Sequence, residues 1–254
     1  MTDQSDTSGN PKLDVSIVPV TLDDVPALLR VHTAAFKTDQ FSNLMLLGRD
    51  ENAHANLMRD AIQEWIADPT AKLMQAVDTD GRVLGWSCWI LKEATPTESE
   101  AEDPAATLVS DTSDSKPAPD TPAEETREKP KDPARVLGGL MYKDRVSMED
   151  NHLKGKTYMV LQGLATDPLY QRRGIATKLI EKGLEGIDAD GLPCWIHASP
   201  SSYTVYERAG FQEVGRNDYD LDEWAPGGKG GNRGWGRYTF RHMIRKAKHV
   251  GKAA

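Results

Sequence analysis

Between residues 164 and 180 the chain reads Leu-Ala-Thr-Asp-Pro-Leu-Tyr-Gln-Arg-Arg-Gly-Ile-Ala-Thr-Lys-Leu-Ile. An apolar run gives way to a short polar loop, and a helical pattern then begins on a glycine. The first N–H groups of a helix lack intrahelical acceptors and carry the positive end of the helix dipole, so such a start favours a phosphate or another anion. Gly174 permits close backbone approach, Ala176 keeps the next turn small, and Arg172 and Arg173 add positive charge. Few other residues offer chemistry. Cys88 and Cys194 each sit inside an apolar run, which points to buried thiols in a reducing compartment, and neither has a Cys or His at zinc-ligand spacing, so no metal site is expected.

The elements that must position this loop follow from hydrophobic periodicity. Val15 to Leu22 reads as a strand, with Pro19 placing it at an edge. Val25, Leu28, Leu29 and Phe36 mark one helix, and Leu57, Met58, Ala61, Ile62, Trp65 and Ile66 mark a second that stops at Asp68-Pro69. Lys72 to Val77 and Arg82 to Leu91 flank Asp78-Thr-Asp-Gly81, a hairpin signal. Thr157 to Ala165 is a strand apolar on both faces. A helix runs from about Gly174 to Ile187, and Pro193 to Ala198 is a further buried strand. Ser201 or Ser202 caps a helix ending at Gly210, and Phe211 to Val214 and Arg237 to Arg245 are the last strands. The order predicts a mixed α/β domain built on one sheet.

The loop matches a family pattern. Gln171-Arg172-Arg173-Gly174-Ile175-Ala176 resembles the acyl-CoA-binding motif of the GNAT N-acetyltransferases, Gln/Arg-x-x-Gly-x-Gly/Ala, and Tyr206-Glu-Arg-Ala-Gly210-Phe211 resembles the Tyr-x-x-x-Gly-Phe that ends the family's fourth helix. The pattern lies between an apolar strand and an amphipathic helix, and the element order is similar to the family's from about Leu13 to Arg245. The resemblance implies the GNAT fold: a central, twisted, mostly antiparallel sheet of six to seven strands flanked by about four helices. It implies acetyl-CoA as co-substrate, with the amides of Arg172, Arg173, Gly174, Ile175 and Ala176, beside Gln171, holding the pyrophosphate. The main chain of Leu164, Ala165 and Thr166 would pair with the pantetheine arm. Tyr206 would protonate the leaving CoA thiolate or hydrogen-bond to it.

No base stands where family members often place one, because Thr157 to Thr166 contains no Asp, Glu or His; Gln162 is its only long polar side chain. His197, Asp167, Glu149 and Asp150 are candidates, each with an ordinary structural reading that is preferred, and none is assigned. Asn217 to Trp224 holds four carboxylates and two aromatics, suited to attracting a cationic amine or equally to a solvated hairpin end. The glycine-rich Gly227 to Gly236 lacks a phosphate-loop Gly-Lys-Ser/Thr and reads as a linker, or as a flap carrying Trp235.

Charge divides the chain. Residues 93–134 carry twelve acidic and four basic side chains, which accounts for the whole formal charge of −8, and hold seven of the fifteen prolines without an aromatic. Such a segment cannot bury enough apolar surface to offset its ordering entropy, so a disordered insert is expected, its two ends emerging at the sheet's margin, near the hairpin rather than inside the core. The expected organisation is a disordered tail over 1–12, a domain over 13–245 interrupted by this insert, and a short basic tail over 246–254. The near-neutral domain and the short tail exclude a nucleic-acid surface. No run approaches membrane-spanning length, and the polar N-terminus has no signal-peptide pattern, so a cytoplasmic location is expected, with the nucleus left open.

The leading functional reading is an acetyltransferase acting by direct attack of a primary amine, a small molecule or a protein Lys or N-terminus, as monomer or homodimer. Alternatives are a non-catalytic acyl-CoA-binding module and an interaction protein working through the acidic insert. Tyr206 at its motif position favours the first.

Overall fold

The computed structural model describes residues 13–50, 52–94, 132–225 and 234–247. The strands are β1 (Ser16–Pro19), β2 (Ala71–Val77), β3 (Val83–Lys92), β4 (Tyr158–Thr166), β5 (Cys194–Ala198), β6 (Gln212–Asp220) and β7 (Arg237–Arg245). The helices are α1 (Val25–Phe36), α2 (Gln40–Leu46), α3 (Ala53–Ala67), α4 (Pro133–Leu153), α5 (Ile175–Ala189), α6 (Tyr203–Arg208) and α7 (Leu221–Trp224). One seven-stranded sheet runs in the order β1-β2-β3-β4-β5-β7-β6, antiparallel throughout except for the β4–β5 pair. This is the mixed α/β architecture that the periodicity predicts, with the hairpin closed at Gly81, whose φ of +78° suits glycine, and braced by Arg82 N–H donating to Asp78 Oδ1 at 2.8 Å.

Helices cover both faces. On one, α1 and α3 pack Leu28, Val31, Ile62 and Trp65 against Trp86, Cys88 and Ile90 of β3. On the other, Ile180, Leu184 and Ile187 of α5 meet Trp89, Met159, Leu161 and Ile196. The residues of β3 from Val83 to Ile90 are therefore all buried, which is why that strand is apolar without alternation. Both thiols are buried and free, and burial pushes each up, Cys194 to about 12.

Three helices lie beyond the four read from periodicity. α2 and α7 are short, while α4 has 21 residues and begins inside the stretch read as insert, with Asp132 accepting from Ala134 N–H as its cap. The insert's C-terminal boundary thus moves from 134 to 131; residues 95–131, like 1–12 and 248–254, lie outside the described residues. Only one of its two flanks lies beside the hairpin strands. Ala94 N–H donates to Thr157 Oγ1, just beyond the C-terminal end of α4, whereas Asp132 stands at the other end of a helix about 30 Å long. The last hairpin is also longer than expected. β6 continues to Asp220, and Leu221–Trp224 is helical.

Candidate functional site

β4 and β5 pair only through Met159 with Cys194 and Val160 with Trp195. From Leu161 onward the β5-facing edge of β4 has no strand partner among the described residues. The other edge of β4 stays bonded to β3, with a bulge where Trp89 pairs with Leu161 and Cys88 with Gly163, so that Gln162 is the extra residue. The sheet is thus split at its centre, and the split leads to the glycine loop.

That loop is shaped for an anion. Arg172 and Gly174 both adopt left-handed backbone, at φ of +60° and +81°, and Arg172 is the one non-glycine among the described residues to do so. Gly174 is the N-cap of α5 and supplies no side-chain acceptor, so the first amides of that 15-residue helix are left for a ligand. A Cβ built on Gly174 would meet nothing within 4 Å, so the approach is open. Positive charge is concentrated beside it: the guanidinium carbons of Arg82 and Arg173 lie 5.2 and 5.5 Å from the Tyr170 ring centroid. Gln171 Nε2 donates to Thr166 O at 3.3 Å, which ties the loop to the end of β4. Thr166, at the end of β4, and Gln171 are thus held together, and Arg172 to Ala176 lead from there into the start of α5.

Tyr206 lies in α6, packed edge-on to Phe211 with ring centroids 6.0 Å apart, in the same apolar cluster as Leu161, Ile196 and the partly buried Leu164. It is 4% exposed. Burial raises its phenol pKa, partly offset by a hydrogen bond with the Ser202 side chain, so the phenol keeps its proton near neutral pH. Ser202 occupies the N-cap position of α6 without capping it; its hydroxyl instead lies 2.9 Å from Ser199 Oγ.

The four base candidates separate. Asp167 caps the turn at Pro168–Tyr170 and accepts from Arg30 Nη1 at 2.8 Å, a structural pairing. Glu149 accepts from Tyr158 Oη at 2.6 Å and faces Arg145 at 3.6 Å. Asp150 is exposed on α4. His197 is half-buried and stacked between Phe240, 4.0 Å away, and His242, 4.9 Å away; burial first, then the neighbouring His242 and Arg145, hold it well below the usual histidine range, so it is neutral.

The acidic run 217–224 does mostly structural work. Asp220 caps α7, Asp222 accepts from the amides of Trp235 and Gly236, Asp218 accepts from Thr239, and Tyr219 donates to Asp144 at 2.6 Å. Trp235 is partly buried against the cluster formed by α2, α4 and α7; residues 226–233 of the expected flap lie outside the described residues. Sequence reasoning missed a group at this end of the molecule. Tyr238 of β7 donates to Asp39 Oδ2 at 2.6 Å, and Asp39 also caps α2 by accepting from Ser42 N–H. The only linear signal was the N-cap pattern of Asp39.

Comparison with known proteins agrees with this geometry. Residues 147–220 match a family model described as an acetyltransferase (GNAT) domain. No curated protein matches the sequence. Among solved structures, arylalkylamine N-acetyltransferase 2 from Aedes aegypti superposes with a TM-score of 0.61 at 14% identity, over 92% of this chain and 100% of that one. A mosquito arylalkylamine N-acetyltransferase like 5b gives 0.57 at 11% identity over 92% and 100%. A histone acetyltransferase HPA2 and related acetyltransferase from Corynebacterium glutamicum gives 0.51 at 15% identity over 93% and 98%. At such identities the likeness establishes the GNAT fold. No helix among the described residues is long and apolar enough to cross a membrane, and no group of three or more His, Cys, Asp or Glu among them is placed to hold a metal.

Proposed function

We propose that this chain, which has the GNAT fold and matches a GNAT acetyltransferase domain over residues 147–220, transfers the acetyl group of acetyl-CoA to a primary amine by direct attack with both substrates bound. The observation that carries this reading is the opening between β4 and β5 leading to the uncapped, left-handed start of α5. A pyrophosphate needs several amides converging from one side, and Arg172 to Ala176 provide such a loop with an arginine-rich flank. The pantetheine arm would lie along Leu164, Ala165 and Thr166, where the edge of β4 has no strand partner among the described residues.

The thioester would then stand beside Tyr206, which offers a protonated phenol to the departing sulfur. The acceptor would approach from the opposite face, past the half-buried rings of His197, Phe240 and Phe41. An aromatic-flanked approach accepts a small cationic amine or a Lys side chain alike. His197, neutral and in that approach, is placed to hydrogen-bond the incoming nitrogen.

Acetyl-CoA should raise the melting temperature, and thiol release should depend on an amine drawn from a panel of polyamines, arylalkylamines, amino acids and Lys or N-terminal peptides. Thermal stabilisation without thiol release from any amine would favour a non-catalytic acyl-CoA-binding module. Absence of both responses would reject the cradle.

A further inference from the structure

Arg82 lies outside the glycine loop, in the turn between β2 and β3, yet it is held against that loop. Its guanidinium carbon is 5.2 Å from the Tyr170 ring centroid, and that of Arg173 is 5.5 Å from the same centroid, so one aromatic side chain brackets two cations. The carboxylate beside them, Asp167, is buried and already committed. Its Oδ2 accepts from Arg30 Nη1 at 2.8 Å and its Oδ1 from Leu169 N–H at 3.1 Å, while Arg30 Nη2 donates to Val83 O at 2.6 Å. Arg82 Nη2 comes only to 3.6 Å from the same Oδ2, beyond hydrogen-bond length, and its side chain is 46% exposed. Asp78, at the start of the turn, accepts from the backbone N–H groups of Asp80 and Arg82. Among the described residues, no acceptor takes a hydrogen bond from the planar fork of Arg82, whose geometry matches two oxygens of one phosphate.

Packing sets this fork relative to the start of α5. Ile175, the first residue of α5, shares an apolar cluster with Leu84 and the partly buried Tyr170, and Asp167 N–H donates to Leu84 O at 2.8 Å. The helix start therefore stands over the beginning of β3, where Leu84 is two residues beyond Arg82. The edge of β4 without a strand partner faces the other way, toward β5. We propose that Arg82, bracketed by Tyr170 and assisted by Arg173, binds the 3′-phosphate of CoA and makes the protein selective for CoA over its 3′-dephospho form. The inference rests on the proposed use of acetyl-CoA. With the pantetheine arm along β4 and the pyrophosphate on the amides at Gly174, the adenosine end of the ligand continues toward β3, and the phosphate on its ribose meets the open guanidinium. Two N–H groups of Arg82 then donate to two phosphate oxygens, a charge-assisted pair. The Tyr170 ring and Asp167 hold the guanidinium in place before the ligand arrives, so little side-chain freedom is lost on binding.

Titration calorimetry with CoA and with 3′-dephospho-CoA tests this without an amine or turnover. The starting protein should bind CoA about tenfold or more tightly than the dephospho form, as a charge-assisted pair predicts. Arg82→Gln should weaken CoA by that factor and leave the dephospho form unchanged, so that the two ligands bind alike. Tyr170→Leu, which removes the bracket, should lose part of the preference. Arg30→Gln breaks the shorter pairing of Asp167 and should keep the preference; its loss there would assign the effect to Asp167 and overturn the role of Arg82. Equal weakening of both ligands in Arg82→Gln would mean that the charge acts on the pyrophosphate, which also overturns the inference. Equal affinities in the starting protein, a comparison that needs no variant, would overturn it and leave the pyrophosphate cradle standing. Binding of neither ligand would reject the cradle, and this inference with it.

Discussion

Arg245, the last residue of β7, forms a bidentate pair with Asp188 near the end of α5, Nη1 to Oδ1 at 2.6 Å and Nη2 to Oδ2 at 2.7 Å. The guanidinium is 3% exposed on its side chain, and its Nε donates to Ala209 O, so one buried cation joins α5, the end of α6 and the sheet. Removing one partner of such a pair leaves the other charged and desolvated. Asp188→Ala should lower unfolding stability by about 3–5 kcal/mol. Denaturant titration will show this, and a loss well under 1 kcal/mol would mean that water replaces the carboxylate.

Close packing across α5 gives a second expectation. A Cβ on Gly183 would lie 2.3 Å from Cε2 and Nε1 of the Trp89 indole. Trp89 is fully buried, so the ring has no free space to yield. Gly183→Ala should cost about 1–3 kcal/mol and change the tryptophan fluorescence. The glycine that weakens helix propensity is needed for the indole.

These two sites show where the sequence is readable. Trp89 lies in a continuous apolar run, and Gly183 in a helix marked by Leu179, Ile180, Leu184 and Ile187, so both elements follow from periodicity. The contact between them does not, because it joins residues far apart in the chain. α4 escaped for a different reason: Gly138-Gly139 lowers its helix propensity, and of its five buried residues only Leu137, Met141 and Leu153 are large and apolar, the others being Ala134 and Glu149. The anion loop was legible because its residues are contiguous. The bond between Tyr238 and Asp39 was not, since each looks ordinary until the fold brings β7 beside the cap of α2.

The His32 and His54 pair sets a pH limit on the fold. Their Nε2 atoms are 3.3 Å apart, and His32 stacks on Phe36 with ring centroids 4.4 Å apart. Burial, then the neighbouring His54, lowers His32 to about 3. An unfolded histidine takes its proton near pH 6.5, so below that the unfolded chain binds more protons than the folded one. The stabilisation is complete above about pH 6.5 and falls by about 1.4 kcal/mol per pH unit as the pH drops toward 3. His32→Phe should flatten the melting temperature between pH 6 and 4; an unchanged slope would place the acid sensitivity elsewhere.

Gly174 separates backbone from ligand effects. Its Cβ position is empty, so alanine there brings no clash, only the strain of a left-handed residue at φ +81°, on the order of 1 kcal/mol. Gly174→Ala should therefore leave the fold nearly as stable while reducing the rise in melting temperature that acetyl-CoA produces. An equal rise in both proteins would show that the pyrophosphate is held elsewhere.

Asp222 controls the entry to β7. It is 6% exposed, and its two oxygens accept from Trp235 N at 3.2 Å and Gly236 N at 3.1 Å. These bonds fix the residues that carry Trp235 into the cluster of Phe41 and Phe240. Asp222→Ala leaves two amides without their acceptor, a loss of about 1–3 kcal/mol. Asp222→Asn keeps an acceptor oxygen and should recover part of it. Because Phe240 flanks the proposed amine approach, freeing Trp235 should raise the acceptor KM in Asp222→Ala while the acetyl-CoA KM stays constant. Parallel changes in both constants would assign Asp222 to the fold alone.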